Sequence, residues 1–106
     1  MGVSHATARD KELTPLICDY IKEKKPDFLF IHFDSTDGAG HKNGYGRPEH
    51  IRAISEVDKL NGDVYSAAEA LDDTLFMVIA DHGGTREENG YLVACYDVLL
   101  NEDGTL

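Results

Sequence analysis

The sequence predicts an α/β fold: a βαβ-containing parallel sheet with flanking helices. Three observations carry that expectation. Phe28–Phe33 and Leu75–Ala80 are short, almost unbroken apolar runs, the pattern of strands covered on both faces. Between them, residues 48–71 repeat apolar side chains at helical steps, as a crossover helix joining two parallel strands would. Each run then ends in a polar, glycine-bearing loop, as strands do where an open sheet binds its ligands.

Taken in order, Asp10 to Lys25 reads as a helix, because Leu13, Leu16, Ile17, Tyr20 and Ile21 share one face. It begins either at Asp10 or a turn later, where Thr14 would cap and Pro15 would take the first helical position. Lys22, Lys24 and Lys25 suit the negative end of its dipole, and Pro26 stops it. The first apolar run follows, interrupted by His32, which reads as a core or sheet-end histidine. Asp34 to Pro48 reads as a loop rich in Gly, Asp, Ser and Asn. The crossover helix carries Ile51, Ile54, Val57, Leu60, Val64, Ala68 and Leu71 on one stripe, with Pro48 in its first turn and Gly62 weakening it by about 1 kcal/mol relative to Ala. Tyr91 to Leu100 is either a strand or a short helix, and Asn101 to Gly104 has turn chemistry.

Composition bounds the function. A chain of 106 residues holds one domain with one modest core. Its net charge of −10 disfavours nucleic acid and anionic membrane surfaces as partners. It leaves phosphorylated substrates open, because bound divalent cations invert the local sign. Cys18 and Cys95 lack metal-site spacing and read as isolated thiols. No apolar run approaches membrane-spanning length, and residues 1–10 lack an apolar signal core. Localisation is therefore unassigned, cytoplasmic if the chain is complete.

The chemistry lies in the two loops. One contains Asp34, Asp37 and His41; the other contains Asp81 and His82, followed by Gly83 and Gly84. Parallel strands would deliver both loops to one sheet edge, where two Asp and two His converge among small residues that admit close backbone approach. Carboxylate and imidazole together suit Zn²⁺, with Mn²⁺ or another divalent ion as the alternative; Ca²⁺ and Mg²⁺ favour all-oxygen cages. Two ions about 4 Å apart could clamp a phosphoryl transfer. Each loop also has a plain structural reading, as a turn or a polar strand end. Asp34 either orients His41 or the loop, or serves as a turn or cap residue. His50 and Glu49 read as solvated helix-start residues, Asp58 as a solvated helix position, and Glu87 and Glu88 as an exposed acidic turn.

The stretch Asp37-Gly-Ala-Gly-His41-Lys-Asn-Gly44, the helix containing Ile54-Ser-Glu-Val-Asp58, and Thr74-Leu-Phe-Met-Val-Ile-Ala-Asp81-His82-Gly83-Gly84 together resemble the type I phosphodiesterase/nucleotide pyrophosphatase branch of the alkaline phosphatase superfamily. The resemblance runs from about Lys11 to Gly84. It implies that Asp37 and His41 bind one zinc and Asp81 and His82 the other, in metal-dependent hydrolysis of phosphate mono- or diesters; relatives act on sulfate esters or phosphonates, or as phosphomutases. It also implies a Thr or Ser nucleophile and a further metal-binding Asp upstream, and another ligand His downstream. None of these has a match here: residues 1–10 do not resemble the nucleophile segment, and no His follows His82. Thr36 and Thr85 do not occupy the nucleophile position, so no catalytic residue is assigned within this chain.

Residues 1–106 are therefore expected to form a single partial domain, the C-terminal part of a phosphodiesterase or phosphatase catalytic domain with the alkaline-phosphatase-like fold. The complete enzyme would take a small phosphorylated substrate; the isolated chain would be inactive. The alternative is a non-catalytic α/β remnant or a metal- or partner-binding module. A Rossmann-like nucleotide-binding domain fits poorly, because neither loop has G-x-G-x-x-G order leading into a helix. Exposed sheet edges would drive homo-oligomerisation.

Overall fold

A computed structural model describes residues 9–86 and 92–96 of the chain. Three helices come first: α1 (Asp10–Lys24), α2 (Ser35–Asn43) and α3 (Pro48–Glu69). Two short strands follow, β1 (His82–Arg86) and β2 (Leu92–Tyr96). The strands pair antiparallel, with His82 opposite Tyr96 and Arg86 opposite Leu92. No helix among the described residues is long and apolar enough to cross a membrane.

α1 begins at the earlier of its two candidate starts, so Pro15 lies inside the helix. A proline there forfeits one ladder hydrogen bond. The start is held by Asp10, whose carbonyl accepts the Thr14 hydroxyl at 2.7 Å. At the other end Lys25 takes a left-handed conformation, φ 46°, and its N–H donates to Ile21 O at 3.0 Å. This is the closing geometry usually left to glycine. α3 keeps its expected bounds within two residues at its C-terminus, with Pro48 in the first turn.

α2 corrects the expectation of a loop over 34–48. Gly38 and Gly40 each cost a helix interior about 1 kcal/mol, which is why the sequence reads as irregular. The offset comes from far away in the chain. The buried Asp10 carboxylate accepts the Asp34 N–H at 3.2 Å on each oxygen and the Ser35 N–H at 2.8 Å. Donors that open a helix have no partner inside it, and here α1 supplies one.

α3 packs against both α1 and α2. The core is Ile17, Ile21, Val64 and Ala67, with Leu13, Cys18, Ile31, Phe33, Leu71 and Phe76 laid against it. The predicted stripe of α3 is covered only toward its C-terminal half: Val57, Val64 and Ala68 are buried, whereas Ile51 and Ile54 are exposed.

The parallel sheet is the second correction. Among the described residues, neither 28–33 nor 74–80 forms a strand, and the observed sheet is the antiparallel β1–β2 pair. Only Ile31, Phe33 and Phe76 of these runs reach the core. Phe28, Leu75 and Ile79 are 81%, 81% and 79% exposed. Two-sided apolar runs mark strands enclosed on both faces, and the described residues enclose these runs on one.

Candidate metal centre

Asp37 and His41 lie one turn apart on α2, four positions apart, so their side chains share a face. His41 Nε2 sits 3.3 Å from Asp37 Oδ2. The other carboxylate oxygen, Asp37 Oδ1, is 3.5 Å from His82 Nε2. One carboxylate thus stands between imidazoles from two separate elements. Asp81 completes the group, with its Oδ2 3.9 Å from His82 Nε2 and its Oδ1 accepting the His82 N–H at 3.0 Å.

The orientation of His82 follows from its other nitrogen, which lies 2.8 Å from Gly83 O. In the tautomer with its proton on Nδ1, His82 donates to that carbonyl and keeps Nε2 available as a metal ligand. His82 and Asp37 are half-buried, while Asp81 and His41 are largely exposed. The site is therefore open to solvent on the side of Asp81 and His41.

Tyr45 packs against this group, and sequence reasoning passed it over. Its hydroxyl donates to Asp37 Oδ1. That bond, then burial, then the charges of Asp37 and Asp81 hold the phenol well above its ordinary value, at about 12. Tyr45 is 8% exposed, and its ring meets those of His41 and His50 edge-on, at centroid distances of 5.7 and 5.0 Å. A Cβ added at Gly40 or at Gly84 would run into the same Cδ1–Cε1 edge of this ring. Those two glycines are the close-approach positions, because only a residue without a side chain lets α2 and β1 both reach the ring.

The turn that aims Tyr45 inward is itself built from glycine. Arg47 N–H donates to Gly44 O at 3.1 Å, and Gly46, in the third position, has φ 76°. Gly46 N–H donates to His50 Nδ1 at 2.9 Å, tying the turn to the first turn of α3. The legible signal was a single aromatic flanked by Gly44 and Gly46, one helical turn beyond His41.

Asp34 sits at the N-cap of α2 and makes no side-chain capping bond. Its contact with Asp10 runs through its backbone N–H. Asp10, read from the sequence only as a helix start, turns out to hold the helix that carries Asp37 and His41. His32 lies outside this cluster, in edge contact with Phe30.

The donor set of two imidazoles and two carboxylates is the chemistry that Zn²⁺ and neighbouring divalent ions take. Among the described residues, no three of these groups surround a common centre. Asp37 Oδ1 is engaged by the Tyr45 hydroxyl, and Asp81 Oδ2 stands off to the exposed side. The residues fit a cation by donor type, while their described positions do not converge on one centre.

Residues 3–105 match the family described as type I phosphodiesterase/nucleotide pyrophosphatase. Similar curated proteins include "GPI ethanolamine phosphate transferase 2" of Candida albicans, 34% identical over 85 residues, covering 76% of this chain and 9% of the relative. The 2,3-bisphosphoglycerate-independent phosphoglycerate mutase of Bacteroides thetaiotaomicron is 36% identical over 94 residues, covering 89% of this chain and 16% of the relative. The catalytic subunit of human GPI ethanolamine phosphate transferase 3 is 38% identical over 60 residues, 56% of this chain and 5% of the relative. The chain thus spans less than a fifth of the length of these relatives. No solved structure matches it.

Proposed function

This chain belongs to the type I phosphodiesterase/nucleotide pyrophosphatase family of the alkaline phosphatase superfamily, and from that membership we propose that it supplies one wall of a divalent-metal site at which a larger catalytic domain cleaves or transfers phosphate esters. Asp37, His41, Asp81 and His82 are the proposed ligands. The observation that carries the reading is the Asp37 carboxylate set between His41 Nε2 at 3.3 Å and His82 Nε2 at 3.5 Å.

Zn²⁺ is the ion this mixed nitrogen and oxygen set favours, with Mn²⁺ as the alternative. When bound, the ion would polarise a phosphoryl oxygen and offset developing negative charge. The chain's own part is to hold ligands in place. α2 presents Asp37 and His41 on one face, Gly83 O fixes the His82 ring, and Asp10 holds the opening of α2. Relatives named as a phosphate transferase and as a mutase support phosphoester chemistry in the larger domain. Hydrolysis is the water-accepting form proposed here, on a small phosphorylated substrate. The nucleophile would come from the rest of the domain, so the isolated chain binds metal without turning over ester.

Calorimetric titration of the chain with Zn²⁺ tests this. Binding that is lost in both His41→Ala and His82→Ala is expected. Heats unchanged in both variants would remove the metal site, leaving the reading of a non-catalytic α/β module.

A further inference from the structure

We propose that Tyr45 is a positioning residue for this site: its hydroxyl fixes the Asp37 carboxylate, and its ring ties the end of α2 to the start of β1. The proposal rests on the metal reading above and names a residue that reading does not require. Two independent features converge on it. The hydroxyl donates to Asp37 Oδ1, which leaves Oδ2 as the oxygen turned to His41 Nε2 at 3.3 Å. The ring edge is seated so closely on the backbones of Gly40 and Gly84 that neither position admits a Cβ.

The first feature concerns the carboxylate. A side chain that is only half-buried can rotate about its terminal bond, and a donor on one oxygen removes that freedom. Carboxylates that bind metals are commonly held this way by an outer partner, and loss of such a partner typically costs about 10- to 100-fold in metal affinity. The second feature concerns the two halves of the ligand set. Asp37 and His41 lie on α2, whereas Asp81 and His82 lie at the start of β1, and these elements meet through the Tyr45 ring. The glycine-built turn from Gly44 to Arg47, anchored on His50 Nδ1, holds the ring there.

Tyr45→Phe separates positioning from support, because it deletes the hydroxyl and keeps the ring between the two glycines. The test is Zn²⁺ affinity of the full chain by calorimetry, with Co²⁺ visible absorption as a spectroscopic readout and the thermal midpoint as a control for folding. Zn²⁺ binding about 10- to 100-fold weaker in Tyr45→Phe is expected, with a changed Co²⁺ spectrum and a thermal midpoint close to that of wild type. Equal affinity and an identical Co²⁺ spectrum in Tyr45→Phe, with wild type binding normally, would overturn the role of Tyr45 and leave the metal site standing. A lowered midpoint with unchanged affinity would likewise overturn it, in favour of plain support. Wild type that binds neither ion would overturn both readings together.

Discussion

Replacing Asp10 with Ala should unhinge α2 from α1. Asp10 is 5% exposed, and its carboxylate accepts the N–H groups of Asp34 and Ser35 at 3.2 and 2.8 Å. Removal leaves two part-buried donors unmatched at the opening of a helix that already contains Gly38 and Gly40. Losing an N-cap acceptor costs about 0.5–2 kcal/mol, and bonds to a charged group sit toward about 1.5–3 kcal/mol. Because the two bonds share one carboxylate and water reaches part of the gap, the expected loss is about 2–3 kcal/mol. Asp10→Asn keeps one acceptor oxygen without the charge and should lose about half as much. Urea unfolding followed by circular dichroism measures the change, and hydrogen exchange at the Asp34 and Ser35 amides shows where it falls. Those two amides should lose protection in Asp10→Ala, and Zn²⁺ affinity should fall with them, because Asp37 and His41 ride on α2. A change below about 0.5 kcal/mol with both amides still protected would refute the claim that Asp10 makes this segment helical.

Other outcomes follow from the same geometry. Gly40→Ala should destabilise by about 1–3 kcal/mol through overlap with the Tyr45 ring. Gly38→Ala, with nothing within 4 Å, should stabilise by up to about 1 kcal/mol; equal effects at the two positions in thermal melts would remove the close-approach argument. Ile21→Ala, at a position 3% exposed, should cost about 2–4 kcal/mol, whereas Ile51→Ala, at one 55% exposed, should stay within about 0.5 kcal/mol in urea titrations. The uncovered runs at 28–33 and 74–80 should drive self-association, so sedimentation should depend on concentration and lose that dependence in Phe30→Asp/Met77→Asp. Burial first, and then the Asp63 charge, push the Cys18 thiol above its ordinary value. Its alkylation, mapped by mass spectrometry, should therefore lag that of an unfolded control at mildly alkaline pH. This thiol's contribution to folding is fully present below the ordinary thiol range and is lost as pH rises from there through its raised folded value.

α3 was legible in the sequence because its stripe, from Val57 through Val64 to Ala68, repeats at helical steps and Pro48 marks its start. α1 was legible for the same reason, with only its first turn open. α2 was not, since its local composition argues against a helix and its stabiliser, Asp10, lies 24 positions before Asp34. The two apolar runs misled in another way. Their hydrophobicity speaks of two covering layers, and a sequence pattern cannot say whether the chain itself supplies both. At the site, the pairing of Asp37 with His41 came from the resemblance of their segment to the family motif, and the route that brings them to His82 differs from the expected one. The juxtaposition arises from α2 meeting β1, without a parallel sheet between them among the described residues. Tyr45 escaped notice because aromatic residues near turns are commonplace, and what distinguishes it is the absence of side chains at Gly40 and Gly84.

Nitrogen NMR of ¹⁵N-histidine-labelled chain during Zn²⁺ addition tests the central claim most directly. The Nε2 resonances of His41 and His82 should move together at stoichiometric metal, while those of His32, outside the cluster, stay in place. Movement at His32 with His41 and His82 unperturbed would contradict it.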